Sequence, residues 1–288
     1  MMLRAPVRPD ATRPTAAAAL RAWAARVRAD REQVERCREM EDPSDFYAPV
    51  AGRFRMDPRR TGDPTLELLR ELAQAGESWL DIGAGGGRFA LPLALAASEV
   101  ICVEPSKAMV GVLHDGMQEH HIANISVLQD RWPPSDPSSA PSADVALMAH
   151  IGYDIEAIGP FLDAVETAAG RLCIAVMGEG AMTTVATLFW EPIHGEPRVA
   201  LPALPELMAL LVARGRLPEI RLVERAPPTF DSIDDLLAMG RRQLWVRPDS
   251  IKDRLLSELI RGSAIQREGG WTVDRATSRI GVASWLPR

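Results

Sequence analysis

Lysine is almost missing from this chain. Of its 288 residues only Lys107 and Lys252 are lysine, so 31 of the 33 basic residues are arginine. Cysteine is equally scarce. Cys37, Cys102 and Cys173 are an odd number at no metal-like spacing, which excludes a disulfide framework or a zinc ribbon. Cys102 and Cys173 lie in apolar runs and read as small core residues, which fits a reducing compartment. None of the five histidines pairs with a cysteine or carboxylate at ligand spacing, so no metal is expected. No apolar run reaches the roughly 18 residues that a membrane span needs. Arg4 and Arg8 are followed by no apolar stretch and small-residue cleavage site, so residues 1–14 do not read as a secretory signal and the expected location is cytoplasmic. A basic surplus is also lacking: 33 basic against 39 acidic residues give a net charge of −6. Without a broad positive face, neither nucleic acid nor a membrane surface is an expected partner.

What is present is an ordinary globular composition, 47% hydrophobic and 25% charged, on a chain long enough to bury a core without staples. Residues 1–14 are rich in Pro and Arg and read as disordered. Helical spacing of Leu20, Trp23, Val27, Val34 and Cys37 follows. Asp63 and Pro64 open a second helix that Gly76 ends. Short apolar runs at 79–82, 100–103, 125–128, 145–148 and 172–177 then alternate with helical segments at about 87–97, 106–120 and 155–169. Such alternation predicts βαβ units around a parallel sheet buried on both faces. Beyond Gly180 the pattern loosens, with Phe189, Trp190 and His194 among prolines. Helices are expected at 204–214, 231–239 and 251–260, and strands at 220–223 and 279–285.

The informative string is Trp79-Leu80-Asp81-Ile82-Gly83-Ala84-Gly85-Gly86-Gly87-Arg88-Phe89, where the first strand turns into its helix. Glycines at 83, 85 and 87 allow a tight turn and a close approach to a ligand. The crevice beyond the carboxyl ends of an open α/β sheet is where ligands bind. Glu104 follows Gly87 by 17 residues, at the end of the second strand, where a carboxylate can accept from two ribose hydroxyls. A dinucleotide-binding pattern can be read from Gly85 to Ala90. Asp81 opposes that reading, because an acid at the strand tip repels a pyrophosphate and attracts a cation.

These residues resemble the class I S-adenosylmethionine-dependent methyltransferases, whose first motif is D/E-x-G-x-G-x-G. Asp81, Gly83, Gly85 and Gly87 fill its fixed positions. Glu104-Pro105-Ser106-Lys107-Ala108-Met109 is similar to the second motif, and Asp130 matches the acid after the third strand. The resemblance covers about residues 64–180 well and the rest only in layout. It implies a Rossmann-like, mostly parallel seven-stranded sheet with helices on both faces, an N-terminal helical cap and helical lid insertions. Residues 1–60 would be the arm and cap. Residues 61–288 would be the methyltransferase domain, with lid-like insertions at about 181–203 and 227–275.

The implied cofactor is S-adenosyl-L-methionine. Asp81 would hold its amino group, directly or through water; Gly83, Ala84, Gly85 and Gly87 would line the methionine and ribose. Glu104, with Pro105 and Ser106, would grip the ribose. Asp130 would read the adenine amine, with Arg131 or Trp132 near the ring. Methyl transfer is an in-line displacement in which positioning supplies most of the catalysis. His150, at the end of the fourth strand, is the candidate base should the acceptor need to lose a proton, and it would also border the cofactor; Tyr153 follows it. The Asn/Asp-Pro-Pro-aromatic tetrapeptide of amino methyltransferases is absent, the sequence there being Met148-Ala149-His150-Ile151-Gly152-Tyr153. That disfavours DNA adenine and protein glutamine as acceptors. The expected partner is a small-molecule methyl acceptor; a homodimer is left open. The competing functions are a protein methyltransferase, a non-enzymatic S-adenosylmethionine-binding protein and an NAD-dependent oxidoreductase. The arginine bias, with abundant Ala and Pro, points to a GC-rich bacterial gene.

Overall fold

The computed structural model describes residues 15–41, 44–181, 184–274 and 277–288. The arm at 1–14 lies outside them. Seven strands form the main sheet: β1 (Ser78–Ile82), β2 (Glu99–Val103), β3 (Ile125–Leu128), β4 (Ala143–Ala149), β5 (Ala169–Gly178), β6 (Glu219–Arg225) and a final strand, Ser278–Trp285, called β9 because a separate hairpin, β7 (Ala264–Arg267) and β8 (Gly270–Val273), precedes it. The order across the sheet is β3-β2-β1-β4-β5-β9-β6. Neighbours from β3 to β5 are parallel, whereas β9 runs antiparallel to both β5 and β6. β6 therefore points the same way as β5, and its last residue, Arg225, shares an edge with the ends of β1, β4 and β5.

Both faces are covered, as near-continuous apolar strands require. On one side, helices α2 (Pro64–Leu72), α3 (Ala90–Ala94) and α4 (Lys107–Glu119) bury Leu66, Leu69, Phe89, Leu91 and Leu113. On the other, α1 (Ala16–Cys37), α5 (Ile158–Ala168) and α7 (Leu204–Ala213) bury Trp23, Phe161, Leu207 and Leu210. Trp23 crosses the fold to donate its indole N–H to the Ile155 carbonyl, 2.9 Å away. Residues read from sequence as part of a cap thus form a layer of the main core. A third cluster joins α6 (Thr184–His194), α8 (Ile233–Leu244), α9 (Ile251–Ser263) and β8 through Trp190, Leu237, Leu256 and Val273, with Val34 and Cys37 of α1 against it.

Several boundaries differ from the sequence expectation for physical reasons. The helix after the glycine loop spans Ala90–Ala94, not 87–97, because Gly85 and Gly87 hold φ of 55° and 86°, outside the helical region. The helix read at 155–169 begins at Ile158. The proline-rich 181–203 stretch contains α6, which carries Pro192 inside it. The β7–β8 hairpin was not legible. It closes at Gly270, where a Cβ would sit 2.3 Å from the Phe230 carbonyl oxygen, an approach only glycine permits.

Candidate active site

β1 ends in Asp81 and Ile82 between β2 and β4, with Asp81 paired to Cys102 and Leu147. The chain turns at once. The Gly83 and Ala84 amides donate to the Val103 carbonyl at 2.8 and 3.3 Å, which folds the loop back over the end of β2. Gly83 needs its φ of 72°, and a Cβ there would lie 2.8 Å from Ile151. At Gly87 a Cβ would press within 2.6 Å of Leu113 and 2.8 Å of Leu91. At Gly85 a Cβ would meet nothing within 4 Å, so that turn of the loop faces open space. Ala84 buries its methyl in the core and offers only its backbone.

Glu104 is pinned at the end of β2. One carboxylate oxygen accepts from the Gly85 amide and the other from the Ser106 amide, both at 2.8 Å. Each oxygen keeps a lone pair for a further donor. Burial raises the Glu104 pKa, against which these two amides work. Ser106 caps α4 by accepting from the Met109 amide at 3.1 Å and donates its hydroxyl to Asp45 at 2.9 Å. Asp45 also accepts from the Ala108 amide at 3.2 Å, so the segment before the short 3₁₀ helix Ala48–Phe54 is tied to the start of α4. Phe54 reaches the glycine loop itself: its carbonyl oxygen lies 3.0 Å from where a Cβ on Gly86 would stand. Tyr47 is close enough for Asp154 and Glu104, after burial, to raise its pKa. The aromatic segment at 46–54 therefore borders Glu104 and the glycine loop.

Asp81 is only 2% exposed. Its Oδ1 has no hydrogen-bond partner among the described residues. Burial first, and then the Glu104 charge, push its pKa up to about 7, with the Ala90 amide opposing. A buried carboxylate with an orphaned oxygen, beside a second carboxylate and under an open glycine turn, is a site for a cation carrying N–H donors. The residues fit S-adenosylmethionine, which presents an ammonium and ribose hydroxyls. They do not suit a diphosphate.

The remaining sequence-predicted residues gather at the same edge in two groups. Asp130, half-buried, follows β3 beside Glu104; both their amides donate to the Leu128 carbonyl, at 3.0 and 3.1 Å. Arg131 is exposed. Trp132 packs against the main core, and its buried indole N–H has no partner among the described residues. Pro105 is exposed. Across the sheet, His150 follows β4 in the left-handed region at φ 59°, its amide held by the Val176 carbonyl at 2.8 Å. Both ring nitrogens are buried without partners, and the ring centroid is 6.4 Å from that of Phe89. Burial, then Arg225 and Arg88, push the His150 pKa down to about 3. An imidazole held there is neutral and a weak base, so the expected proton-accepting role does not follow from its environment alone. Tyr153 is buried and accepts from the Gly178 amide at 2.7 Å; burial raises its pKa to about 12. Sequence reasoning missed Arg225, whose only signal was a charge at the carboxyl end of a sheet strand.

The fold defined by this sheet and its glycine turn is that of the class I methyltransferases. No protein-family model matches the chain. Among solved structures it is similar to the YcgJ protein of Bacillus subtilis, with TM-score 0.54 and 18% identity over 79% of this chain and 100% of that one. A methyltransferase assigned as putative from Bacillus halodurans aligns with TM-score 0.50 and 14% identity, over 78% of this chain and 100% of that one. The magnesium protoporphyrin IX methyltransferase of Synechocystis, solved with bound S-adenosylhomocysteine, aligns with TM-score 0.50 and 13% identity, over 83% and 96%. At these identities the likeness is one of fold. An uncharacterized protein of Haemophilus influenzae is 25% identical over 181 residues, 60% of this chain; the match spans 64% of that relative's length.

Proposed function

We propose that this protein is an S-adenosylmethionine-dependent methyltransferase acting on a small-molecule acceptor. The observation that carries the reading is the pair of buried acids, Asp81 and Glu104, on either side of a glycine turn whose open position is Gly85. When bound, the cofactor supplies a methyl group already activated on a sulfonium. Asp81 supplies negative charge beneath the turn, acting on the ammonium through the loop or a bridging water. Glu104, fixed by two amides, needs no reorganisation to receive the ribose hydroxyls, which is the pre-organisation that makes binding tight. Asp130 stands one strand further out, where the adenine amine would lie. Phe46, Tyr47 and Phe54 form an edge-to-face aromatic row beside this half, with centroids 5.3 and 5.8 Å apart. His150 and Tyr153 border the acceptor side, over the ends of β4 and β5.

Titration calorimetry with S-adenosylhomocysteine and with NAD tests the cofactor. We expect binding of the first only; binding of NAD alone would sink the proposal. Turnover is checked by release of S-adenosylhomocysteine across a panel of small acids, amines and phenols.

A further inference from the structure

The acceptor side of the crevice is built with the opposite charge to the cofactor side. Asp63, the N-cap of α2, takes hydrogen bonds at 3.1 Å from both Arg60 and Arg88. Burial works against this carboxylate, yet Arg88, the Leu66 amide and Arg60 hold its pKa below the usual range. Arg225, half-buried at the end of β6, makes no hydrogen bond or ion pair among the described residues. The charged and titratable groups that act on it are Arg88, Asp63 and Tyr153. Two guanidiniums thus share one carboxylate, and Arg225 adds a third cation nearby that this carboxylate does not pair. Desolvation lowers the Arg225 pKa and Arg88 adds to it, so the cation stands against both burial and repulsion. Unpaired polar atoms lie beside it. The Arg88 Nε–H and both His150 ring nitrogens, one a donor and one an acceptor in the neutral ring, are buried without partners among the described residues. Arg88 lies over the Phe89 ring at 5.1 Å, and that ring leads on to His150. A half-buried cluster with surplus cations and unused donors is costly unless an anion completes it.

We infer that the methyl acceptor carries an anionic oxygen group, a carboxylate or a phosphate, seated among Arg225, Arg88 and His150 over the carboxyl ends of β4, β5 and β6. This deepens the methyltransferase reading and rests on it. The cofactor's own carboxylate is the competing occupant, and the Arg225 variants below separate the two. An anion in the seat also raises the basicity of His150, so the acceptor would itself prepare the residue beside it.

The test uses protein saturated with S-adenosylhomocysteine, at constant ionic strength so that screening is equal in every arm. Benzoate, inorganic phosphate and neutral benzamide are titrated by calorimetry and thermal shift. Benzoate or phosphate is expected to bind and raise Tm, and the stronger of the two identifies the anion class; benzamide is expected to do neither. Arg225→Met should weaken the anion about tenfold or more, the loss of one charge-assisted contact, while Arg225→Lys keeps part of the response. The affinity for S-adenosylhomocysteine should stay within about twofold in both, since the cofactor is assigned to other groups. If Arg225→Met weakens S-adenosylhomocysteine and leaves the anions untouched, the arginine serves the cofactor and the inference falls. Equal responses to benzoate and benzamide also overturn it. Binding of S-adenosylhomocysteine with no anion response removes the seat and leaves the methyltransferase reading. An Arg225-dependent anion response without S-adenosylhomocysteine binding removes that reading, and the acceptor assignment with it.

Discussion

The two halves of the crevice differ in sign. Over β1, β2 and β3 the side chains are acids: Asp81, Glu104, Asp45 and Asp130. Toward β4, β5 and β6 stand Arg225 and the neutral His150, with Arg88 reaching in from the loop after β1 and bound to Asp63. In the first half, most polar atoms are held by backbone amides, so the site is rigid and its ligand is read by fixed acceptors. In the second, donors are left over. A shared scaffold thus presents a cation-seeking surface next to an anion-seeking one. The net charge of −6 conceals that division, because it averages over both.

Substitutions can break the comparison, and the largest effect falls on Asp81. Asp81→Asn should weaken S-adenosylhomocysteine by up to about 100-fold, equivalent to about 3 kcal/mol for a lost charge-assisted bond. The same change should stabilise the ligand-free protein. A carboxylate whose folded pKa is about 7, against 3.8 unfolded, loses stability as pH rises between those values. The full loss, on the order of 4 kcal/mol, is reached above pH 7. Thermal melts of the two proteins should therefore diverge more at pH 8 than at pH 5. A variant that is no more stable at pH 8 would show that Asp81 is not strained by burial. Next comes Glu104→Gln, which keeps the shape but leaves one oxygen to face two amides and the ribose. An affinity loss of about tenfold is expected by calorimetry.

On the basic side, His150→Ala should leave cofactor affinity within about twofold and lower kcat by about tenfold, below the usual range for a full general base. Unchanged turnover would remove His150 from the acceptor site. Because the folded His150 pKa is about 3 against 6.5 unfolded, the wild type loses stability as pH falls through that window. The variant should show a flatter acid limb in its melting curve. The smallest effect is expected at Asp130→Ala. This half-buried residue already accepts from the Arg131 amide at 2.7 Å, and a fewfold loss of cofactor affinity is the expected reading.

The acid-rich half of the crevice was legible in the sequence because its residues are local. Asp81 and the glycines share one turn, and Glu104 and Asp130 each end the next strand in order. Apolar runs marked the strands, and Ser106, Asp63 and Pro64 announced their helices. In the other half His150 and Tyr153 were read from the sequence, but Arg225 was not. Arg88, His150 and Arg225 come from three distant segments, and nothing around Arg225 in Val223-Glu224-Arg225-Ala226-Pro227 separates it from a solvated strand end. Only the sheet order, with β9 inserted between β5 and β6, turns that arginine toward the same edge. Trp132 illustrates the converse. Its sequence position offered the adenine ring or simple packing, and in the fold the side chain packs, partly buried, against the core.

The half-titrated state of Asp81 has a thermodynamic signature. Near neutrality part of the population carries a proton on that carboxylate, and a bound ammonium selects the ionised form. Loading the nucleoside would then discharge a fraction of a proton into solution. Apparent binding heats should shift between buffers of different ionisation enthalpy, and affinity should climb with alkalinity until the carboxylate is fully deprotonated. The same acid that recognises the ligand would make the protein a reporter of its own surroundings.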